Sequence, residues 1–415
     1  MTLSGAEGYG LQQGDPSDLS GSETYMTCTW GYGRQSTALD YVRLELAVAR
    51  AGPQRGAVRL GSAGISSGAA HRLAQWAGIM TVRHGAGEIR WGILGTANIA
   101  RAQFLPGLRE AGRGRAAMVG GREAERVRAF ASDYGVDHGV TGYARVIESA
   151  EIDAVYVALP NSLHSEWTIR AVQAGKAVLC EKPLSVSVSE TAAMLDAVRA
   201  LPSALLWEAF VFPFQAQHRR LMEVLSDGAI GEPAEIVSAF HFLLSRPADI
   251  RLSAALGGGS IADVGCYPVR LAHEIFGSVD AGVTVDAEVM AGSAVVDGQV
   301  EVEAAGMATW GARRLMLTCG FRRAYDTFTR ILGGQGQVHL TNPYHPRPLD
   351  TLVLHRPGSE AVVENPTADA HSFTAALRHI HAVLLGEEAP RHTAAESALA
   401  TARTVAALQA ACGPR

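Results

Sequence analysis

Residues 89–100, Ile-Arg-Trp-Gly-Ile-Leu-Gly-Thr-Ala-Asn-Ile-Ala, constrain the fold of this chain more than any other stretch. A short apolar run ends in a small-residue turn, and the turn opens directly into a helical pattern. A dinucleotide-binding βαβ unit begins in this way. Gly95 allows the sharp turn, Ala97 keeps the approach to a pyrophosphate narrow, and Ala100 lets helix and strand pack closely. Ala97 stands where a second glycine is normal, so taken alone the turn also reads as an ordinary tight βα connection. The pattern of the downstream chain decides between the two.

From residue 89 onward the pattern alternates strand and helix. Residues 115–119 read as a second strand and 123–134 as a helix, with Val127, Phe130, Ala131 and Tyr134 spaced to face a sheet. Residues 153–158 are a nearly continuous apolar run, as expected of a parallel strand covered on both faces. A helix over 164–174, a strand over 177–180, a helix over 187–199 and a strand over 203–207 come next. The expected fold class is therefore α/β, with a doubly wound Rossmann domain over 87–207. After a helix at 214–226 the pattern changes to strands at 234–244, 282–290, 300–310, 314–321, 328–340 and 350–355. A helix at 263–276 lies between the first two. This predicts an α+β domain over 208–369 with a mostly antiparallel sheet, one face of which is left to be covered or to pair with another subunit. Helices near 370–386 and 393–411 close the chain and pack back on the body, the last through Ala394, Ala395, Ala398 and Ala402.

Residues 1–86 differ. They are rich in Gly, Ser and Ala with weak periodicity, and only 38–50 and 69–79 offer short helical patterns. Met80 stands just before the first good strand, so this stretch is expected to be a disordered extension or a mis-assigned start, with a genuine accessory segment as the alternative. No signal-peptide pattern and no apolar run of about 18 residues is present. The chain is 47% hydrophobic and 19% charged with a net charge of −5 and no basic block, which argues for a soluble globular protein that binds neither nucleic acid nor membrane. Five cysteines in no ligand-like spacing point to a reduced, cytoplasmic protein without a metal site.

The chemistry is expected along one rim. The turn at Gly95, Thr96, Ala97, Asn98 and Ile99 offers amides and a helix N-terminus to a pyrophosphate. At the end of the second strand stand Gly120, Gly121 and Arg122, with no carboxylate until Glu123. Arg122 can pair with a 2′-phosphate, which favours NADP over NAD, although it also reads as a solvated arginine at a helix start. Beyond the fourth strand, Glu181-Lys182-Pro183 puts a lysine where ligands bind in open α/β sheets, its backbone restricted by Pro183. Such a lysine can stabilise the charge that develops on a substrate oxygen; the alternative is a solvated turn lysine. Asp263, Tyr267 and Arg270 follow Gly257-Gly258-Gly259 at a spacing that puts them on one helix face, with Asp263 also a candidate cap. Tyr267 can deliver a proton if a cation such as Lys182 lowers its pKa; otherwise it is a core aromatic. Leu159, Asn161 and His164 lie after the third strand on the same rim, where they contact a nicotinamide ribose or simply start the next helix. Tyr143, Glu208 and His218 are further candidates for lining the pocket.

The small-residue turn, the Glu181-Lys182-Pro183 triplet and the Gly-Gly-Gly…Asp263…Tyr267 segment together resemble the glucose–fructose oxidoreductase, inositol dehydrogenase and rhizopine-catabolism (Gfo/Idh/MocA) family over residues 87–411. The resemblance implies an N-terminal Rossmann domain, a C-terminal open-faced sheet that forms homodimers or homotetramers, and a nicotinamide between the domains. It also implies that Lys182 is the catalytic or substrate-positioning lysine. The inositol dehydrogenase branch usually carries His at the place of Tyr267 and Asp at that of Arg270. Tyr267 looks instead like the proton-relaying tyrosine of the branch that holds glucose–fructose oxidoreductase, dihydrodiol and xylose dehydrogenases and sugar 3-ketoreductases. The segments 91–108, 154–167 and 257–270 look closest to the ketoreductases. These use NADPH to reduce the C3 keto group of a dTDP-linked 3,4-diketo-2,6-dideoxyhexose on the way to antibiotic sugars. A family arginine that commonly follows Glu208-Ala209-Phe210 is absent, with Pro213 near its place. On this resemblance the substrate pocket includes Asp263, Arg270, Glu208 and His218, and the dinucleotide site includes Leu159, Asn161, His164, Glu181 and Lys182. A dehydrogenase of a free xylose-like sugar or a trans-dihydrodiol, and a non-catalytic NADP-binding regulator, remain as alternatives.

Overall fold

A computed structural model describes residues 10–12, 23–31, 41–49, 87–246, 248–277, 287–366 and 368–413. The chain divides into two compact units, Met1–His84 and Gly85–Arg415.

In the first unit, β1 (Gly10–Gln12), β2 (Glu23–Gly31) and β3 (Tyr41–Ala49) form an antiparallel sheet in the order β1-β2-β3. The helix expected at 38–50 is therefore a strand over 41–49. Val42, Leu44, Leu46 and Val48 alternate with Arg43, Glu45 and Ala47, a period of two that outranks the helical spacing read there. The helix expected at 69–79 lies outside the described residues.

The second unit opens with β4 (Ile89–Leu94), β5 (Gly114–Gly121), β6 (His138–Thr141), β7 (Ala154–Val157), β8 (Ala177–Cys180) and β9 (Leu206–Glu208). They lie in the order β6-β5-β4-β7-β8-β9, and every neighbouring pair is parallel. The order reverses at β4, so a crevice opens beyond its carboxyl end, where doubly wound sheets hold their ligands. Helices α1 (Leu105–Ala111), α2 (Ala124–Tyr134), α3 (Ala144–Glu148), α4 (His164–Gln173) and α5 (Val188–Arg199) form the crossovers. Every residue of β7 and β8 is buried, as their unbroken apolar sequences require of strands covered on both faces. The short β6 and α3 escaped the sequence reading: His-Gly-Val-Thr carries a single aliphatic residue at the sheet edge. The fifth strand, expected at 203–207, runs instead over Leu206–Glu208.

After α6 (Ala216–Ser226), an eight-stranded sheet has the order β11-β12-β13-β10-β14-β15-β16-β17. Its strands are β10 (Pro233–Leu243), β11 (Glu288–Asp297), β12 (Val300–Trp310), β13 (Arg313–Gly320), β14 (Arg322–Gly333), β15 (Gly336–Thr341), β16 (Leu352–His355) and β17 (Val362–Glu364). Only the β10–β13 pair is parallel. One strand expectation changes. The run at 328–340 is the hairpin β14–β15, turned at Gly334 and Gln335 with Gly333 opposite Gly336. Of the strand expected at 282–290, residues 282–286 lie outside the described residues and 288–290 are strand. Helix α7 (Cys266–Gly277) lies against β10 and β13, and almost every one of its residues is buried.

Helices α8 (Thr374–Leu384) and α9 (Ala394–Ala411) pack back against the body. The segment that leads into α8 is held from outside. The Glu110 carboxylate of α1 accepts hydrogen bonds from the Ala370 and His371 amides and the Thr374 hydroxyl. A carboxylate at that end satisfies free amides and complements the helix dipole. Trp91 on β4 donates from Nε1 to Nε2 of His381 at 2.9 Å, while Phe104 stacks on Tyr156 and meets the edge of Phe373. On α9 the face that packs inward carries Ala394, Ala398, Thr401, Val405 and Leu408; Ala395, expected there, is exposed and Ala402 is only half-buried.

Candidate active site

The dinucleotide turn is built as its sequence requires. Gly95 has φ +97°, and a Cβ there would stand 2.5 Å from the Ala158 carbonyl oxygen and 3.1 Å from Leu159 Cδ2. The backbone conformation and the close approach of Leu159 thus both select glycine. Thr96, Ala97, Asn98 and Ile99 follow at the surface, and the helical backbone begins at Asn98. Free amides at a helix start beside a turn closed to any side chain fit a pyrophosphate. Arg122 is exposed at the end of β5 and has no hydrogen-bond or ion-pair partner among the described residues, so its guanidinium is available to a ligand.

The opposite rim is built from side chains. Lys182 follows β8, and the Lys182–Pro183 peptide bond is cis. Lys182 Nζ lies 2.8 Å from both the carbonyl oxygen and Oδ1 of Asp263, while Asp263 Oδ2 accepts from Arg251 Nε at 2.7 Å. Burial works to raise the Asp263 carboxyl, but the two cations overcome it and hold it at about 2. Burial also works against the Lys182 ammonium, yet Asp263 and then Tyr267 carry it above the usual lysine range. Both charges persist at any working pH.

Asp263 reaches this position through the glycine triplet. A Cβ on Gly258 would meet the Arg251 carbonyl at 2.4 Å, and one on Gly259 would meet the Glu301 carboxylate at 2.5 Å. Only a bare backbone passes there. Asp263 is not the helix cap: it sits inside a π-helical turn, Ile261–Gly265, and its amide bonds to the Gly259 carbonyl. Such widened turns recur where a helix must present a functional group.

Tyr267 stands one turn on. Its ring lies 5.2 Å from Lys182 Nζ and is enclosed by Phe210, Phe240, Tyr344 and His345, with centroid separations of 5.1–5.5 Å. The hydroxyl has no hydrogen-bond partner among the described residues. The expected lowering of its pKa is reversed here. Burial in the aromatic cage outweighs the pull of Lys182 and leaves the phenol well above its ordinary value. Tyr267 is a protonated donor across the whole neutral range.

Other expected residues are distributed differently. Glu181 is buried and accepts from the Tyr156 hydroxyl at 2.5 Å, with its Oε2 3.3 Å from the Lys182 amide. His164 is buried, with Nδ1 2.9 Å from the Pro183 carbonyl and Nε2 2.9 Å from the Leu159 carbonyl. It ties the loop after β7 to the lysine turn. Asn161 Nδ2 donates to the Gly257 carbonyl at 2.8 Å and links that rim to the glycine triplet. Glu208 lies behind the lysine turn, where it accepts from the Leu184 amide at 2.8 Å. Burial raises its carboxyl to about 7 against the pull of Arg270, which is itself buried. His218 lies 3.2 Å from Glu274, which His392 also approaches at 3.2 Å. Glu208, Arg270 and His218 thus meet one another's neighbours in the interior, while Lys182 Nζ is held by Asp263. Tyr143 packs its ring on Trp167. Sequence reasoning missed Arg251, Tyr156 and His345, and of these Arg251 and His345 come from irregular segments with no periodic signal.

A parallel sheet with a glycine turn at its switch point, and a lysine after β8 paired with a carboxylate and a tyrosine of the second sheet domain, define a dinucleotide-dependent oxidoreductase. Residues 89–208 match the family model "Oxidoreductase family, NAD-binding Rossmann fold", and residues 218–339 match the "GFO/IDH/MocA C-terminal domain". The chain belongs to the GFO/IDH/MocA oxidoreductase family. It is 33% identical over 305 residues to a dTDP-3,4-didehydro-2,6-dideoxy-alpha-D-glucose 3-reductase of Streptomyces violaceoruber, covering 70% of this chain and 85% of that one. A NADP(+)-dependent D-xylose 1-dehydrogenase of Haloferax volcanii is 37% identical over 191 residues, covering 46% of this chain and 58% of that one. Among solved structures, a 3-ketoreductase from Actinomadura kijaniata in complex with NADP and TDP-benzene has a TM-score of 0.69 at 30% identity, covering 78% of this chain and 97% of the other.

Proposed function

We propose that this protein reduces the C3 keto group of a dTDP-linked 3,4-diketo-2,6-dideoxyhexose with NADPH. The observation that carries the chemistry is the Lys182 ammonium, fixed 2.8 Å from two oxygens of Asp263 and 5.2 Å from the ring of Tyr267, whose hydroxyl has no hydrogen-bond partner among the described residues. When bound, the reduced nicotinamide supplies a hydride to the carbonyl carbon. Lys182 orients the carbonyl oxygen and stabilises the negative charge that grows on it. Tyr267 donates its phenolic proton to that oxygen, giving the alcohol, and the resulting phenolate beside Lys182 recovers a proton from water. Asp263 and Arg251 hold Lys182 in place. Thr96, Ala97, Asn98 and Ile99 would bind the pyrophosphate, and Arg122 a 2′-phosphate, which selects NADP over NAD.

The nucleotide-linked substrate is favoured because the dTDP-sugar 3-reductase relative aligns over 85% of its length, whereas the xylose dehydrogenase aligns over 58%. The higher local identity to the latter supports a second reading, oxidation of a free sugar. The reading extends to a cytoplasmic enzyme of antibiotic deoxysugar synthesis that forms a homodimer or homotetramer through the C-terminal sheet. Exposed Met290, Val295 and Val296 on β11 suit such a contact. Among the described residues no helix is long and apolar enough to cross a membrane, and no His, Cys, Asp and Glu group is arranged to hold a metal ion.

Turnover of three substrates tests the reading: the dTDP-linked ketosugar with NADPH, and xylose or a trans-dihydrodiol with NADP. The ketosugar is expected to give the highest kcat/KM. Preference for xylose would overturn the substrate assignment and leave the oxidoreductase chemistry standing.

A further inference from the structure

The loop 342–350, between β15 and β16, brings one more polar side chain to Tyr267. The imidazole of His345 has its centroid 5.5 Å from that of Tyr267 and 5.9 Å from that of Phe240, edge-on to both. It is only half-buried, and its ring nitrogens have no hydrogen-bond partner among the described residues.

Next to His345, the Tyr344 ring stacks on Phe240, and its hydroxyl lies 2.7 Å from Ser238 Oγ and 3.1 Å from Thr329 Oγ1. Asn342 donates to the His345 carbonyl and, at 2.8 Å, to Asp350 Oδ2, and it accepts from the Tyr325 hydroxyl at 2.7 Å. The Arg347 amide also donates to Asp350 at 2.7 Å. Asn342, Tyr344 and Asp350 are spent on holding the loop, and the imidazole that it presents has no hydrogen-bond partner among the described residues.

We propose that His345 is a substrate-contacting residue that hydrogen-bonds a sugar oxygen adjacent to the carbonyl protonated by Tyr267, and so sets which sugars the cleft accepts. The proposal rests on the reductase reading for the identity of the sugar, but not for the contact itself. Burial first, and then the Lys182 charge, keep the imidazole neutral, with its pKa pushed down to about 4. A neutral imidazole keeps one N–H donor, which matches the C4 keto oxygen beside the C3 carbonyl of the 3,4-diketo sugar and equally a hydroxyl of a free sugar. On a ring whose carbonyl stands between Lys182 and Tyr267, the oxygen on a neighbouring carbon is the group that a third side chain beside Tyr267 reaches. Specificity built on such a bond is strong, because a substrate lacking that oxygen leaves the imidazole unpaired.

The test compares wild type, His345→Leu and His345→Gln on the same three substrates, and on an analogue of the reactive one that lacks the oxygen on the adjacent carbon. NADPH binding, followed by its fluorescence, is the check on folding and is expected to be unchanged in both variants. For whichever substrate the wild type turns over, His345→Leu is expected to raise KM roughly tenfold with kcat within about threefold, and His345→Gln to restore most of the loss. The deoxy analogue should lose nothing further in His345→Leu. Equal losses on substrate and analogue, or wild-type KM in His345→Leu, would overturn the proposal and leave the reductase reading intact. Turnover of xylose alone would overturn the substrate assignment while the His345 comparison runs on xylose. Wild-type inactivity on all three would overturn both.

Discussion

The two rims of the cleft solve their problems with different materials. In the proposed function the Rossmann rim binds through backbone: amides after β4, a glycine at φ +97° and one exposed arginine. The sheet-domain rim works through side chains carried by irregular segments: Asp263 in a π-helical turn, Arg251 in a short 3₁₀ segment, and His345 in the loop after β15. Lys182 belongs to the first by position and to the second by its contacts. The difference teaches that a common ligand can be held by a geometry that many sequences satisfy, whereas the group that reacts needs particular atoms at particular places.

This contrast can be broken at several points. Substituting Gly95→Val should weaken NADPH binding about a hundredfold, since the new Cβ meets the Ala158 carbonyl in a backbone conformation that valine avoids. Isothermal titration with NADPH measures it, and unchanged affinity would remove the turn from the cofactor site. A narrower effect is expected of Arg122→Ala: KM for NADPH should rise roughly tenfold while that for NADH stays put, because only the 2′-phosphate loses its charged partner. Equal changes for both dinucleotides would return Arg122 to the solvated surface.

The smallest effect belongs to Glu208, which supports the lysine turn from behind. Its carboxyl is raised from 4.5 to about 7 in the folded protein, burial being the main cause. Between those values the folded state holds a proton that the unfolded chain has released. Stability from this group is therefore present below about 4.5 and is lost as pH rises through about 7. Thermal melts from pH 5 to 8 should show a decline in wild type that Glu208→Gln lessens by a few degrees at most; parallel curves would mean that Glu208 ionises normally.

Much of the first rim was legible in sequence. Strand 177–180 appears residue for residue as β8, and Gly95 makes the sharp turn expected of it. Parallel strands covered on both faces leave unbroken apolar runs, and glycine turns leave a spelled-out signature. The second rim was legible only where chemistry-bearing residues stood in a helical register, as Asp263 and Tyr267 do. Arg251 and His345 follow no period, because loops are shaped by local hydrogen bonds that no repeat encodes. The one available signal was a tyrosine and a histidine between Pro343 and Pro346 just after a strand, a rigid loop rich in functional groups. The direction of the Tyr267 shift was also out of reach. A sequence shows the lysine that lowers the pKa but not the Phe210, Phe240 and Tyr344 cage that raises it further.

The central claim is that Lys182 and Tyr267 together perform the transfer, the lysine by charge and the tyrosine as a proton donor. The rate of NADPH oxidation at saturating ketosugar, measured from pH 6 to 9 for wild type, Lys182→Ala and Tyr267→Phe, tests it most directly. Both variants should fall at least about a hundredfold, with NADPH binding retained, and the wild-type rate should show no loss from tyrosine ionisation up to pH 9. Full turnover in both variants would contradict the account.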